Sequence, residues 1–164
     1  MKTTLNTVAV LLCLSFGAQA QEATFTGKSL TPETALAAAQ AALAHCRKEG
    51  FQVAVAVVDK AGLPQALLRD RYAGAHTVEV SVNKAWTAVS FKTPTITLAE
   101  ETQPGKPMSG LRGLPRFLAA GGGRTIEGAG TLLGGIGVSG APGGDADDAC
   151  AQAGIKAIAD SLEF

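Results

Sequence analysis

Histidine occurs only twice in this chain, at His45 and His76, and neither stands at zinc-ligand spacing from a cysteine. No C-x-x-C pair is present, which excludes zinc-ribbon and thioredoxin-type chemistry. Charge of one sign is also lacking. Lys and Arg together number 14 and so do Asp and Glu, so no basic excess points to nucleic acid. Long apolar runs are absent too. The run "VAVLLCLSFGA" near the start is too short for a stable membrane anchor, and no later segment approaches spanning length.

What that early run does fit is a leader. Lys2, the apolar core and the small-x-small site Ala18-Gln19-Ala20 make a secretory signal peptide over residues 1–20. A lipoprotein signal would use Cys13, but Leu12 stands where a small residue belongs. Cleavage leaves 144 residues, of which 13 are basic and 14 acidic, enough for one domain with its own core. The expectation is a periplasmic or secreted protein with a flexible mature start over 21–28, a single domain over 29–164, and no membrane insertion after cleavage. Cys46 and Cys150 remain. In an oxidising compartment they are open to a disulfide, and equally to a reading as two small buried apolar side chains.

Local patterns give an element order. Thr31-Pro32-Glu33 supplies an N-cap, a first-turn proline and an acid, and the alanine-rich segment that follows stops at Arg47, Lys48 and Gly50. "FQVAVAVVD" is apolar on both faces, as a central strand is, and "LPQALLRD" after the Asp59–Gly62 turn reads as its hairpin partner, Pro64 placing it at an edge. Val78, Val82, Ala85 and Val89 keep helical spacing through "AHTVEVSVNKAWTAVSF". A short helix follows Thr93-Pro94, and residues 102–117 read as a loop. "RFLAAGGG", a turn around "RTIEG", and "GTLLGGIGVSG" suggest two or three further strands before a last helix near Asp145. The class is α+β, with helices around an antiparallel sheet of about five strands.

Three motifs mislead. "GIGVSG" at 135–140 matches the dinucleotide fingerprint G-x-G-x-x-G, but 24 residues remain after it, enough for a loop and one helix and not for the second parallel strand. Ser81-Val82-Asn83-Lys84 is an S-x-x-K without its companion motifs, and Gly137 to Ala141 misses the last glycine of a nucleophile elbow. The glycines fit better as bare strand surface where a helix or a neighbouring subunit comes close, or where a planar ligand rests.

Four segments in order, "LTPETALAAAQAAL", "VAVAVVDKAGLPQALLRD", "NKAWTAVSFKTPT" and "GGIGVSGAPGGDADDACAQAG", resemble the GlcG/HbpS-type haem-binding proteins, also described as a haem-degrading domain, over residues 29–161. The resemblance implies a profilin-like layered architecture, assembly into homo-oligomers, and haem or a similar planar ligand. It implies an exported haem-binding protein with at most weak oxidative haem-degrading activity, and no acid–base group for efficient catalysis stands out. Other readings stay open: an accessory protein for an exported oxidoreductase or sensor without its own haem, or a binder of a corrinoid or a small hydroxy acid.

Haem iron takes an axial donor, most often histidine. His76 follows Gly74-Ala75 and is a candidate iron ligand or distal donor, against a plain polar helix end. His45 is the other candidate ligand, against simple charge complementarity with its helix C-terminus. Tyr72, Met108 and the cysteines are further donors. Lys84 could hold a propionate or another carboxylate, as could Arg69, Arg71, Arg112 and Arg116, each weighed against a solvated surface role. Thr87, one turn beyond Lys84, could touch the ligand or bond a backbone carbonyl.

Overall fold

The computed structural model describes residues 23–163, so the expected leader over 1–20 lies outside the described residues. Helix α1 (Pro32–Lys48) starts as its sequence dictates. Thr31 caps it by accepting from the Thr34 N–H at 3.2 Å, and Gly50, at φ 82°, turns the chain away at the other end. Its small face of Ala35, Ala38, Ala39 and Ala42 is fully buried. Part of that face lies on helix α4 (Gly144–Ala157), where Gly154 lets the α1 backbone at Ala38 approach closely. The two open cysteines are joined: Cys46 of α1 and Cys150 of α4 form a disulfide.

Strands β1 (Ala54–Asp59) and β2 (Pro64–Arg69) form the expected hairpin, β1 buried throughout its first five residues and β2 partly exposed at the edge. Strands β3 (Gly123–Gly128) and β4 (Thr131–Ser139) complete one sheet in the order β2-β1-β4-β3, with every pairing antiparallel. Helices α1 and α4 cover one face, where Val53, Val55, Val57, Ile136 and Val138 make the main core. Helix α2 (His76–Phe91) covers the other face, with a short α3 (Thr95–Glu101) beside it. This is the layered α+β architecture the sequence implied. Among the described residues no helix is long and apolar enough to cross a membrane.

The sheet has four strands, not about five, and the difference sits in one place. "RTIEG" is itself strand β3, and the turn falls at Ala129–Gly130, both at positive φ as a tight hairpin requires. The apolar segment 116–122 before it is not a strand. Threonine hydroxyls take up part of its hydrogen bonding in place of a neighbouring strand: the Leu118 N–H donates to Thr87 Oγ1 at 3.0 Å, and Thr95 Oγ1 donates to the Ala120 carbonyl at 2.6 Å. The last helix starts beside Asp145 as expected, ends at Ala157 and passes into a single 3-10 turn over Ala159–Leu162.

Antiparallel pairing of β4 on both sides removes the dinucleotide fold, which needs a parallel neighbour. The S-x-x-K pattern fails as well, since Ser81 Oγ donates back to the Val78 carbonyl at 2.9 Å.

Candidate functional site

A cleft of about 630 Å³ opens at the end of the sheet where β1 begins and β4 finishes. Three segments form its walls: Gly50–Gln52 after α1, the loop from Tyr72 into the start of α2, and the Ser139–Gly144 turn between β4 and α4. Phe51, Val80 and Pro142 supply apolar lining. The volume lies within the range of small-molecule and cofactor sites, roughly 300–1,000 Å³.

The loop is pinned at several points. Asp70, 3% exposed, accepts from Arg47 Nε at 2.8 Å, and its own N–H donates to the Val53 carbonyl at 3.0 Å. Arg69 Nη1 donates to the Ala73 carbonyl at 2.6 Å, and Thr77 Oγ1 donates to the Gly74 carbonyl at 2.7 Å. Two side chains on this held backbone stay open. Tyr72 is 80% exposed, and the His76 imidazole is exposed and makes no hydrogen bond with the described residues. Both line the cleft.

Lys84 and Asp147 also line the cleft, and both are buried. Lys84 Nζ donates to Asp147 Oδ2 at 2.7 Å and to the Val138 carbonyl at 2.9 Å, while Asp147 Oδ1 accepts the Ala141 N–H at 3.0 Å. Burial pushes the Asp147 carboxyl above the usual aspartate range, opposed by the Lys84 charge and by hydrogen bonds from Lys84 and the backbone N–H groups of Ala141 and Gly140. The pair ties α2, the end of β4 and the first turn of α4 together beside the cleft.

Of the candidates singled out from sequence, Tyr72, His76 and Lys84 line this cleft. Lys84 is not the solvated surface cation that a lone lysine suggests; its carboxylate partner comes from within the chain. Arg69 is engaged in holding the loop that carries His76. Thr87 is buried and bonds the 116–118 backbone, the alternative reading of its hydroxyl. His45, half-buried on α1, is not among the lining residues, and Met108 lies in a separate hollow of about 360 Å³. Arg112 bonds the Thr102 and Ala99 carbonyls, and Arg116 lies over the Trp86 ring. Arg71, beside Tyr72, is exposed and carries no such bond.

Sequence reasoning missed Asp147 as a site residue. Its aspartate-rich surroundings signalled a helix start, and nothing local announces a lysine 63 positions away. No group of three or more His, Cys, Asp or Glu side chains suited to a bare metal ion occurs among the described residues. Haem needs less from the protein, since its macrocycle holds the iron and the chain adds an axial donor. The unbonded His76 imidazole, the apolar side chains of Phe51, Val80 and Pro142 in a mixed lining, and the cleft volume fit that requirement.

Known proteins share this frame. Over 103 residues, 62% of this chain, the sequence is 34% identical to the corrinoid adenosyltransferase PduO of Salmonella typhimurium. The match spans 31% of that enzyme, so the chain corresponds to less than a third of it. The crystal structure of a double mutant of HbpS from Streptomyces reticuli superposes with a TM-score of 0.77 at 37% identity, covering 84% of this chain and 92% of that one. The crystal structure of a complex of PduOC with haem superposes with a TM-score of 0.75 at 32% identity, over 79% of this chain and 95% of that one. The model of the HbpS-like haem-degrading protein family matches residues 30–156. On these grounds the chain belongs to the HbpS-like family of haem-degrading proteins.

Proposed function

We propose that this chain is an exported haem-binding protein that takes haem into the cleft between the Tyr72–Thr77 loop and the Ser139–Gly144 turn. The observation that carries the reading is the unbonded His76 imidazole on a cleft of cofactor size, in a chain similar to one solved with haem. His76 offers a nitrogen to the iron from a loop already fixed by Asp70, Arg69 and Thr77. Phe51, Val80 and Pro142 offer apolar surface to the faces of a flat ligand. Of the cations singled out from sequence, Arg71 is the one without a partner among the described residues; it does not line the cleft but adjoins the lining residue Tyr72, within reach of a propionate at the rim.

Haem, when bound, supplies an iron centre at which peroxide or oxygen attacks the macrocycle. The chain itself offers little to speed such a step. Asp147 is tied to Lys84, which leaves His76 and the exposed Tyr72 as the acid–base side chains of the lining. Binding with slow degradation, rather than efficient turnover, is the reading these residues support.

Export draws support from two features: the leader pattern over 1–20, and the Cys46–Cys150 disulfide, a bond that persists in oxidising compartments. Self-association into a homo-oligomer is part of the same reading. Leu63 and Leu67, 60% and 43% exposed on and beside edge strand β2, offer apolar surface for it, and light scattering of the mature chain checks the mass.

A corrinoid is the second reading, favoured by the likeness to the corrinoid adenosyltransferase. Separate titrations of the mature protein with haemin and with hydroxocobalamin decide between them. A stoichiometric Soret shift with haemin supports the haem reading. A corrinoid response alone replaces it with the second, and silence with both ligands leaves an accessory protein without its own haem.

A further inference from the structure

The His76 imidazole, though it makes no hydrogen bond with the described residues, is not isolated over the cleft: its ring occupies the space beside Gly74. A Cβ placed on Gly74 would sit 2.7 Å from His76 Cε1 and 2.9 Å from Nδ1, but 3.8 Å from Nε2. The Cε1–Nδ1 edge of the ring therefore faces the loop, in space that a side chain at position 74 would occupy, and Nε2 is the nitrogen turned furthest from it. The seat is fixed in turn. The Gly74 carbonyl accepts from both the N–H and the hydroxyl of Thr77, and the Ala73 carbonyl from Arg69.

We propose that Gly74 is a positioning residue for the metal-facing side chain of this cleft: its missing side chain seats the His76 ring so that Nε2, and not Nδ1, is presented to a haem iron. The inference rests on the haem reading and adds to it which nitrogen ligates and what aims it. The two histidine nitrogens are chemically distinct, and the environment of one settles the role of the other. Here that environment is the space left by the missing Gly74 side chain, on the Nδ1 side of the ring. A ring held in one orientation also binds without first losing rotamer freedom, which strengthens binding at no change in ligand chemistry.

Gly74 is a favourable place for a test. Its φ lies outside the left-handed region, so alanine is allowed there, and what a methyl group would strike is the movable end of an exposed side chain. Gly74→Ala removes no donor and no charge. Haemin titrations of the unmodified protein, Gly74→Ala and His76→Ala, read by the Soret band and by electron paramagnetic resonance, separate the possibilities. Gly74→Ala is expected to keep the circular dichroism and thermal midpoint of the free protein, to bind haemin about tenfold more weakly, and to shift its spin-state signature toward that of His76→Ala. Added imidazole is expected to move the spectra of both variants toward that of the unmodified protein.

An unmodified affinity and spectrum in Gly74→Ala overturns the positioning role while leaving haem binding intact. If His76→Ala is also unchanged, His76 is not the ligand and the proposal fails with it. If the unmodified protein binds no haemin, the functional reading itself fails. Should Gly74→Ala not fold, nitrogen-15 spectra of the unmodified protein with gallium protoporphyrin decide the matter. A metal-induced shift at His76 Nε2 supports the assignment, and one at Nδ1, or none, overturns it.

Discussion

Replacing Lys84 by methionine keeps most of its length and removes its charge, and the result follows from what is left behind. Asp147, 4% exposed, loses the ammonium 2.7 Å away and keeps backbone N–H donors at Ala141 and Gly140. The Val138 carbonyl loses its donor at 2.9 Å as well. Breaking a buried pair from one side costs about 3–5 kcal/mol. In a domain near this size each kcal/mol lowers the melting temperature by about 2–4 °C, so a drop of roughly 6–20 °C is expected. Removing the carboxylate too, in Lys84→Met/Asp147→Leu, should relieve the unpaired charge and leave the smaller cost of the Ala141 and Gly140 N–H groups and the Val138 carbonyl, about 1–3 kcal/mol for each that water does not reach.

The deficit should also depend on pH, with a definite sign. The folded Asp147 carboxyl already sits above the ordinary aspartate range, and loss of Lys84 raises it further. A group raised on folding contributes stability that is fully present below its unfolded value and is lost as pH rises through its folded value. Lys84→Met should therefore be weakest at neutral pH and approach the unmodified protein in mildly acidic buffer, as Asp147 takes up a proton. Urea titrations at both pH values measure this. A single variant costing under about 1 kcal/mol, or a deficit equal at both pH values, would show that the pair does not act as a buried ion pair.

Three further outcomes follow. Cys46→Ala/Cys150→Ala, or reduction of the native protein, should lower stability by up to about 4.7 kcal/mol in denaturant titrations, because the bridge closes a loop of 104 residues. An unchanged midpoint on reduction would mean that the unfolded chain gains nothing from opening that loop. His45→Ala should leave the haemin spectrum as it is, since His45 does not line the cleft, and a lost Soret shift would move the ligand to α1. Arg71→Ala should weaken haemin binding up to about fivefold, as suits one exposed ion pair, and should not affect haem dimethyl ester, which has no free propionate. Equal weakening of both ligands would remove Arg71 from carboxylate recognition.

Much of the layered fold is readable from local signals, because those signals are strong where the elements begin. Thr31-Pro32-Glu33 opens α1, Pro64 puts β2 at an edge, and valines at helical spacing outweigh their own strand preference in α2. The reading fails at 116–128, where local sequence does not decide. "RFLAA" has strand character, but Thr87 and Thr95 of α2 and α3 take its hydrogen bonds, and no pattern within the segment reveals that. Ala129–Gly130 is a weaker turn signal than the Gly121–Gly123 run that leads into β3, and the sequence reading places the turn too early. Of the site, His76 was readable from its place beside Gly74. The Lys84 partner was not, since a lysine carries no mark of burial and Asp147 lies across the fold.

The run "GIGVSG" joins these two levels. Gly135 and Gly137 are two residues apart, so in a strand they share a face, whereas the glycines of a dinucleotide turn serve to bend the chain. A Cβ on Gly137 would meet the backbone of α2 at Ser81 and Ala85, and one on Gly135 would meet Val89. The bare face thus lets α2 settle directly onto the sheet, with its Ser81–Ala85 backbone against β4. That closeness is what lets Lys84 reach the Val138 carbonyl and Asp147 beyond it. Gly140, at φ 131°, then turns the chain into the wall of the cleft. The glycines need not touch a ligand to shape its site: they set the height of α2 above the sheet, and with it the reach of the buried pair and the position of the helix start that carries His76.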